Sequence, residues 1–113
     1  MSVTIYHNPN CTKSRLTLEL LREKGIEPTI VEYLDTPPSA AELKAIFAKL
    51  GMTAAQVVRK KEAGEDGIDV ANLSEDALID AMNAHPRTIE RPIVVKGDKA
   101  AIGRPPENVL KIL

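Results

Sequence analysis

Cysteine occurs once in this 113-residue sequence, at Cys11, so no internal disulfide can staple the fold. A lone thiol fits a reducing compartment, where it stays free to react. Charge of one sign is also missing. Fifteen Lys and Arg face sixteen Asp and Glu, for a formal net charge of −1. Such a balance generates no broad field to attract nucleic acid or anionic lipid, so neither is expected as a partner and any anion site must be local. Long hydrophobic runs are absent as well. The opening Met-Ser-Val-Thr-Ile-Tyr has neither the cationic start nor the apolar stretch of an export signal, and no segment reaches membrane-spanning length. The expectation is a cytoplasmic protein. No repeat or low-complexity segment interrupts the chain, and 43% hydrophobic with 27% charged residues is ordinary for a packed domain. One domain spanning 1–113 is expected.

Val3, Ile5 and Tyr6 form a β-type run that breaks at His7-Asn8-Pro9-Asn10, a cluster of turn formers. Thr12 to Lys24 then reads as a helix, with Leu16, Leu20 and Leu21 on one face and Gly25 as its stop. Thr29 to Leu34 reads as a second strand. A strand, a helix and another strand predict a βαβ crossover with the two strands parallel and the helix on one face. The middle carries repeated helix starts. Ser39 with Glu42 and Thr53 with Gln56 are capping boxes, and Ser74 precedes two acidic residues suited to a first turn. Helices are predicted near 40–50, 54–62 and 75–84, as an insert over about 39–85. Ile93, Val94 and Val95 resume the sheet, Gly97-Asp98 suits a two-residue hairpin, and Ala100 to Ile102 return. Glu107 to Leu113 closes the chain as a short helix. The predicted class is α/β, with a mixed four-stranded sheet.

Cys11 follows the first strand by a short loop and immediately precedes a helix. A thiol there meets unpaired backbone N–H groups and the positive end of the helix dipole, both of which favour thiolate. Ser14, three residues on, can offer its hydroxyl to the sulfur, so Cys11-Thr12-Lys13-Ser14 reads as a redox C-x-x-C with oxygen in place of the resolving sulfur. His7, Lys13 and Arg15 supply donors or positive charge nearby. The spacing is equally compatible with an inert cysteine, a first-turn serine and solvated charges.

His7-Asn8-Pro9-Asn10-Cys11-Thr12-Lys13-Ser14-Arg15 resembles the signature of the glutaredoxin-linked arsenate reductase family, in its compact chromosomal branch. Val31-Glu32-Tyr33-Leu34, Arg91-Pro92-Ile93-Val94 and Ala101-Ile102-Gly103-Arg104-Pro105-Pro106-Glu107 resemble three further family segments in the same order. The resemblance implies a thioredoxin-like fold in which Pro92 follows a cis peptide bond and faces the cysteine. It implies Cys11 as nucleophile and Arg59, Arg91 and Arg104 as ligands of the oxyanion, with His7, Ser14 and Pro92 in support. Guanidinium forks suit tetrahedral oxyanions through paired, charge-assisted hydrogen bonds. Arsenate is the implied substrate, glutathione the co-substrate and glutaredoxin the protein partner, with no metal and no bound organic cofactor. Two relatives of this fold are alternatives. A regulator resembling Spx would use a Cys-x-x-Cys pair, against which Ser14 counts, and a glutathione-dependent thiol reductase resembling the YffB branch would not require the arginine trio.

Overall fold

A computed structural model describes residues 2–113. The chain divides into two compact units, one formed by residues up to Thr36 together with Arg91–Leu113, the other by Pro37–Glu90.

The first unit contains β1 (Val3–His7), α1 (Thr12–Glu23), β2 (Thr29–Glu32), β3 (Ile93–Lys96), β4 (Lys99–Ile102) and a 3-10 helix over Pro106–Ile112. The sheet has the order β2-β1-β3-β4, with β1 and β2 parallel and the other neighbours antiparallel. The predicted crossover and hairpin are therefore both present. Gly97 takes φ +61° at the hairpin turn, a conformation that excludes most side chains. β1 alternates, with Val3, Ile5 and His7 buried, and Ile5 pairs with Val94 across the sheet centre. Val3, Ile5, Leu21, Val94 and Val109 form the core of this unit, flanked by Leu18, Leu20 and Ile26.

Three details depart from the sequence reading. The buried stripe of α1 is Ser14, Thr17 and Leu21, whereas Leu16 is 46% exposed. The helix is thus rotated toward its small polar residues, which the sheet approaches closely at that end. β2 ends at Glu32, because its carbonyl is taken by the N–H groups of Asp35 and Thr36 in a turn. The final segment is a 3-10 helix that starts directly after Pro105 and buries Val109.

The second unit is helical: α2 (Ala40–Leu50), α3 (Ala54–Val57), α4 (Lys60–Glu65), α5 (Glu75–Ala84) and a 3-10 turn over Pro86–Thr88. Ser39 and Glu42 form the capping box, with Glu42 N–H donating to Ser39 Oγ at 3.1 Å and Ser39 N–H to Glu42 Oε1 at 3.3 Å. Such a cap is worth about 1 kcal/mol. Glu75, in the first turn of α5, accepts the Ala54 N–H at 2.9 Å and so ties α5 to the start of α3. Leu43, Ile46, Phe47, Val57, Leu78, Ile79 and Met82 are buried.

The helix expected over 54–62 is instead two short helices. Val58 leaves the helical conformation to bridge Ile89, Arg59 N–H donates to Thr88 O at 2.7 Å, and Glu90 N–H donates to Val57 O at 3.1 Å. Two adjacent valines, stiff at χ1 and suited to extended backbone, sit at the break. This short antiparallel contact fixes the backbone that carries Arg59. No helix among the described residues is long and apolar enough to cross a membrane.

Candidate active site

β1, a central strand, carries His7 at its C-terminal end, and a tight loop leads the chain on to α1. Cys11 N–H donates to Asn8 O at 3.0 Å, and Asn10 N–H donates to Asn8 Oδ1 at 3.0 Å. Cys11 is the N-cap of α1, with extended backbone at φ −100° and ψ 124°. Its carbonyl accepts the first helical bond from Arg15 N–H at 3.0 Å, which leaves the sulfur beside the open N–H groups of the first turn. Arg15 Nη1 donates to Pro9 O at 2.9 Å and Nη2 to Thr12 Oγ1 at 3.3 Å. The guanidinium therefore clamps the two sides of the cysteine loop together, a role that its reading as a nearby charge did not anticipate.

Burial raises the Cys11 pKa, but this is outweighed. The backbone N–H of Ser14, the charge of Arg91, the N–H of Lys13 and a hydrogen bond from the Arg91 side chain hold the thiol below its ordinary value of 9.0. Cys11 is half-buried, reachable from solvent yet partly desolvated.

Ser14 helps the sulfur through its backbone. Its hydroxyl, fully buried, lies 2.6 Å from His7 Nδ1 and accepts the Asn8 N–H at 3.0 Å. The expected hydroxyl contact to sulfur is replaced by this tie between the strand end and the helix. The reason is the rotation of α1, which turns position 14 into the sheet beneath His7. His7 is held below its usual pKa, chiefly by burial, with Arg22 and Arg15 adding to the effect and Glu32 opposing it. A neutral imidazole at this end of the sheet leaves Arg91 as the cation acting on the thiolate.

Arg91 and Pro92 precede β3, and the peptide bond between them is cis, as the resemblance implied. Pro92 is buried, and the Arg91 side chain reaches the sulfur. Gly103 N–H donates to Pro92 O at 2.9 Å, extending the β3–β4 ladder by one step. Arg104, the next residue, is exposed, accepts Asn108 Nδ2 on its carbonyl at 3.0 Å, and also precedes a cis bond, to Pro105. Cys11, His7, Ser14, Arg91, Pro92 and Arg104 thus all belong to the sheet unit.

Arg59 belongs to the helical unit, as the N-cap of α4. Its guanidinium is held by Glu62 at 3.0 Å and stands 3.8 Å from Glu90. Both acids lie close in sequence to expected arginines, yet nothing in the pattern marked them as its partners. Among the described residues, no group of three or more His, Cys, Asp or Glu side chains is placed to hold a metal ion.

A thiol held toward thiolate beside a guanidinium can attack an electrophilic centre whose own oxygens are anionic. Comparisons with known proteins agree with that chemistry. Residues 6–112 match the profile of the ArsC family. A protein of Escherichia coli (strain K12) called uncharacterized protein YfgD is 53% identical over 98% of this chain and 96% of its own length. An arsenate reductase of Neisseria meningitidis is 50% identical over 98% of this chain and 97% of the relative. The solved structure of an arsenate reductase from Vibrio cholerae superposes with a TM-score of 0.94 at 50% identity, covering 100% of this chain and 98% of the other.

Proposed function

The chain belongs to the ArsC family, and from that premise we propose that it is an arsenate reductase in which Cys11 is the nucleophile. The observation that carries the reading is the half-buried Cys11 sulfur at the head of α1, hydrogen-bonded by Ser14 and Lys13 N–H groups and by Arg91. It acts as one thioredoxin-like domain over 1–113, with its helical insert.

The thiolate attacks arsenic as one As–OH bond breaks, and the leaving hydroxide takes a proton from solvent and departs as water, giving a covalent thiol-arsenate adduct. Arg91 and Arg104 neutralise the remaining oxygens, and Arg59 is assigned to the same task on the family resemblance. Because Cys11 is the single cysteine, the second sulfur comes from glutathione. Formation of the disulfide between Cys11 and glutathione supplies two electrons, which reduce arsenic from the +5 to the +3 state, and arsenite leaves. Glutaredoxin thiolate then attacks the glutathione sulfur and releases Cys11 as thiolate. His7, Ser14 and Pro92 support the site, and the reaction takes place in the cytoplasm.

The test is arsenite formation by the purified chain supplied with arsenate, glutathione and glutaredoxin. Activity should vanish in Cys11→Ser, because a serine hydroxyl is neither ionised at neutral pH nor soft enough for arsenic. With glutaredoxin withheld, stalled protein should carry the mass of one glutathione on Cys11. Sustained turnover with thioredoxin alone would refute the electron route, and no arsenite under any reductant would refute the substrate.

A further inference from the structure

A methyl group cannot be added at Gly103 without moving its neighbours. A Cβ built there would stand 2.5 Å from Thr17 Oγ1, 2.8 Å from Pro92 Cγ and 3.1 Å from Thr17 Cγ2. Ordinary contact begins near 3.4 Å, so α1 and the strand ends would have to separate by up to about 1 Å. Neither neighbour is the loose end of a flexible side chain. Thr17 is fully buried, β-branched and anchored by its own hydroxyl bond to Lys13 O at 2.8 Å. Pro92 is buried, and its Cγ is part of a ring whose backbone carbonyl already accepts the Gly103 N–H at 2.9 Å. Gly103 takes no positive φ, so its need for a hydrogen at Cα comes from this close approach.

We propose that Gly103 is a positioning residue for the chemistry at Cys11: its missing side chain lets Pro92 seat against Thr17, and that seat sets the reach of Arg91 to the sulfur. The topology makes this contact a gauge. Arg91 immediately precedes Pro92, and Arg104 immediately follows Gly103, so the two cations flank the point of closest approach. Thr17 lies one helical turn beyond Ser14, on the buried stripe of the helix whose first turn holds Cys11. Widening the contact at 17/92/103 therefore moves Arg91 away from the head of α1. The inference rests on the roles proposed above for Cys11 and Arg91, and its readout requires no arsenate turnover.

The experiment is the pH dependence of Cys11 alkylation by iodoacetamide in the full chain, with Gly103→Ala as the principal variant. Moving a charge from about 4 to 5 Å in a partly wet site raises the midpoint by roughly half a pH unit, a threefold loss of thiolate below both midpoints. Gly64→Ala, which meets nothing within 4 Å, serves as the control and should leave the midpoint where it is. In an Arg91→Gln background the further change to Ala at 103 should have no effect, because a residue that acts through Arg91 is silent without it. A folded Gly103→Ala protein with the wild-type midpoint overturns the proposal, and so does a shift that persists in full without Arg91. If Gly103→Ala does not fold, Thr17→Ile crowds the same point from the helix side. It should raise the midpoint in the same way, and an unchanged midpoint in that variant is equally fatal.

Discussion

Replacing Ser14 by alanine separates two accounts of this residue. If its hydroxyl served the sulfur, Ser14→Ala would raise the Cys11 midpoint and cost little stability. The structure puts the hydroxyl elsewhere, in a buried bond to His7 Nδ1 at 2.6 Å and as acceptor of the Asn8 N–H at 3.0 Å. Removing it leaves a buried imidazole nitrogen and a partly buried N–H without this partner. An unsatisfied buried group costs about 1–3 kcal/mol, and the more accessible N–H stands at the low end of that range. The better helix propensity of alanine returns about 0.5 kcal/mol. The net loss is then about 2–3 kcal/mol, which at this chain length lowers Tm by roughly 8–13 °C. Thermal unfolding followed by circular dichroism at pH 7 reads the first quantity, and the alkylation midpoint of Cys11 reads the second. The expected pair is a large fall in Tm with little change in midpoint, since the N–H of residue 14 survives the substitution. A Tm within two or three degrees of wild type, together with a raised midpoint, would refute the assignment.

Arg91→Gln removes a charge and a charge-assisted hydrogen bond from the sulfur and from the substrate. The alkylation midpoint should rise and kcat/KM for arsenate should fall about 10- to 100-fold, whereas Lys60→Ala should change neither; equal small effects would mean that Arg91 is a solvated charge. Arg59→Ala should raise the arsenate KM about tenfold if its guanidinium, now held by Glu62, also takes substrate oxygen, and an unchanged KM in steady-state assays removes it from the ligand set. The depressed thiol pKa also predicts a linkage between pH and stability. The unfolded chain binds the proton more tightly, so the thiolate's contribution is complete above the ordinary value of 9.0 and is lost as pH falls through the lower folded value. The stability of wild type relative to Cys11→Ser should therefore grow from neutral pH towards 9, and a flat difference in denaturant melts across that range would contradict it.

Local chemistry made much of this protein legible in one dimension. The strand at Val3, the capped helices at Ser39 and Ser74, and the hairpin at Gly97-Asp98 follow from alternation, cap chemistry and turn residues, all of which act within a few positions. Cys11 was legible for the same reason, since a short loop between a strand and a helix start places a thiol at open N–H groups wherever it occurs. The arginines were marked by resemblance, because guanidinium groups distant in sequence carry no local sign of convergence. What the tertiary structure decided was orientation. The buried face of α1 passes through Ser14 and Thr17 and leaves Leu16 exposed, because the sheet and Pro92 press against small side chains at that end. Long-range packing overrode hydrophobic periodicity there, and it moved the Ser14 hydroxyl from the sulfur to His7. The break at Val58 and Arg59 has the same origin. Hydrogen bonds to Thr88 and Val57, formed between segments some thirty residues apart, outweigh the helical continuity that the local sequence suggested. A sequence window sees propensity, whereas the partner that satisfies a backbone group or fills the space beside a glycine is known only once the chain has folded.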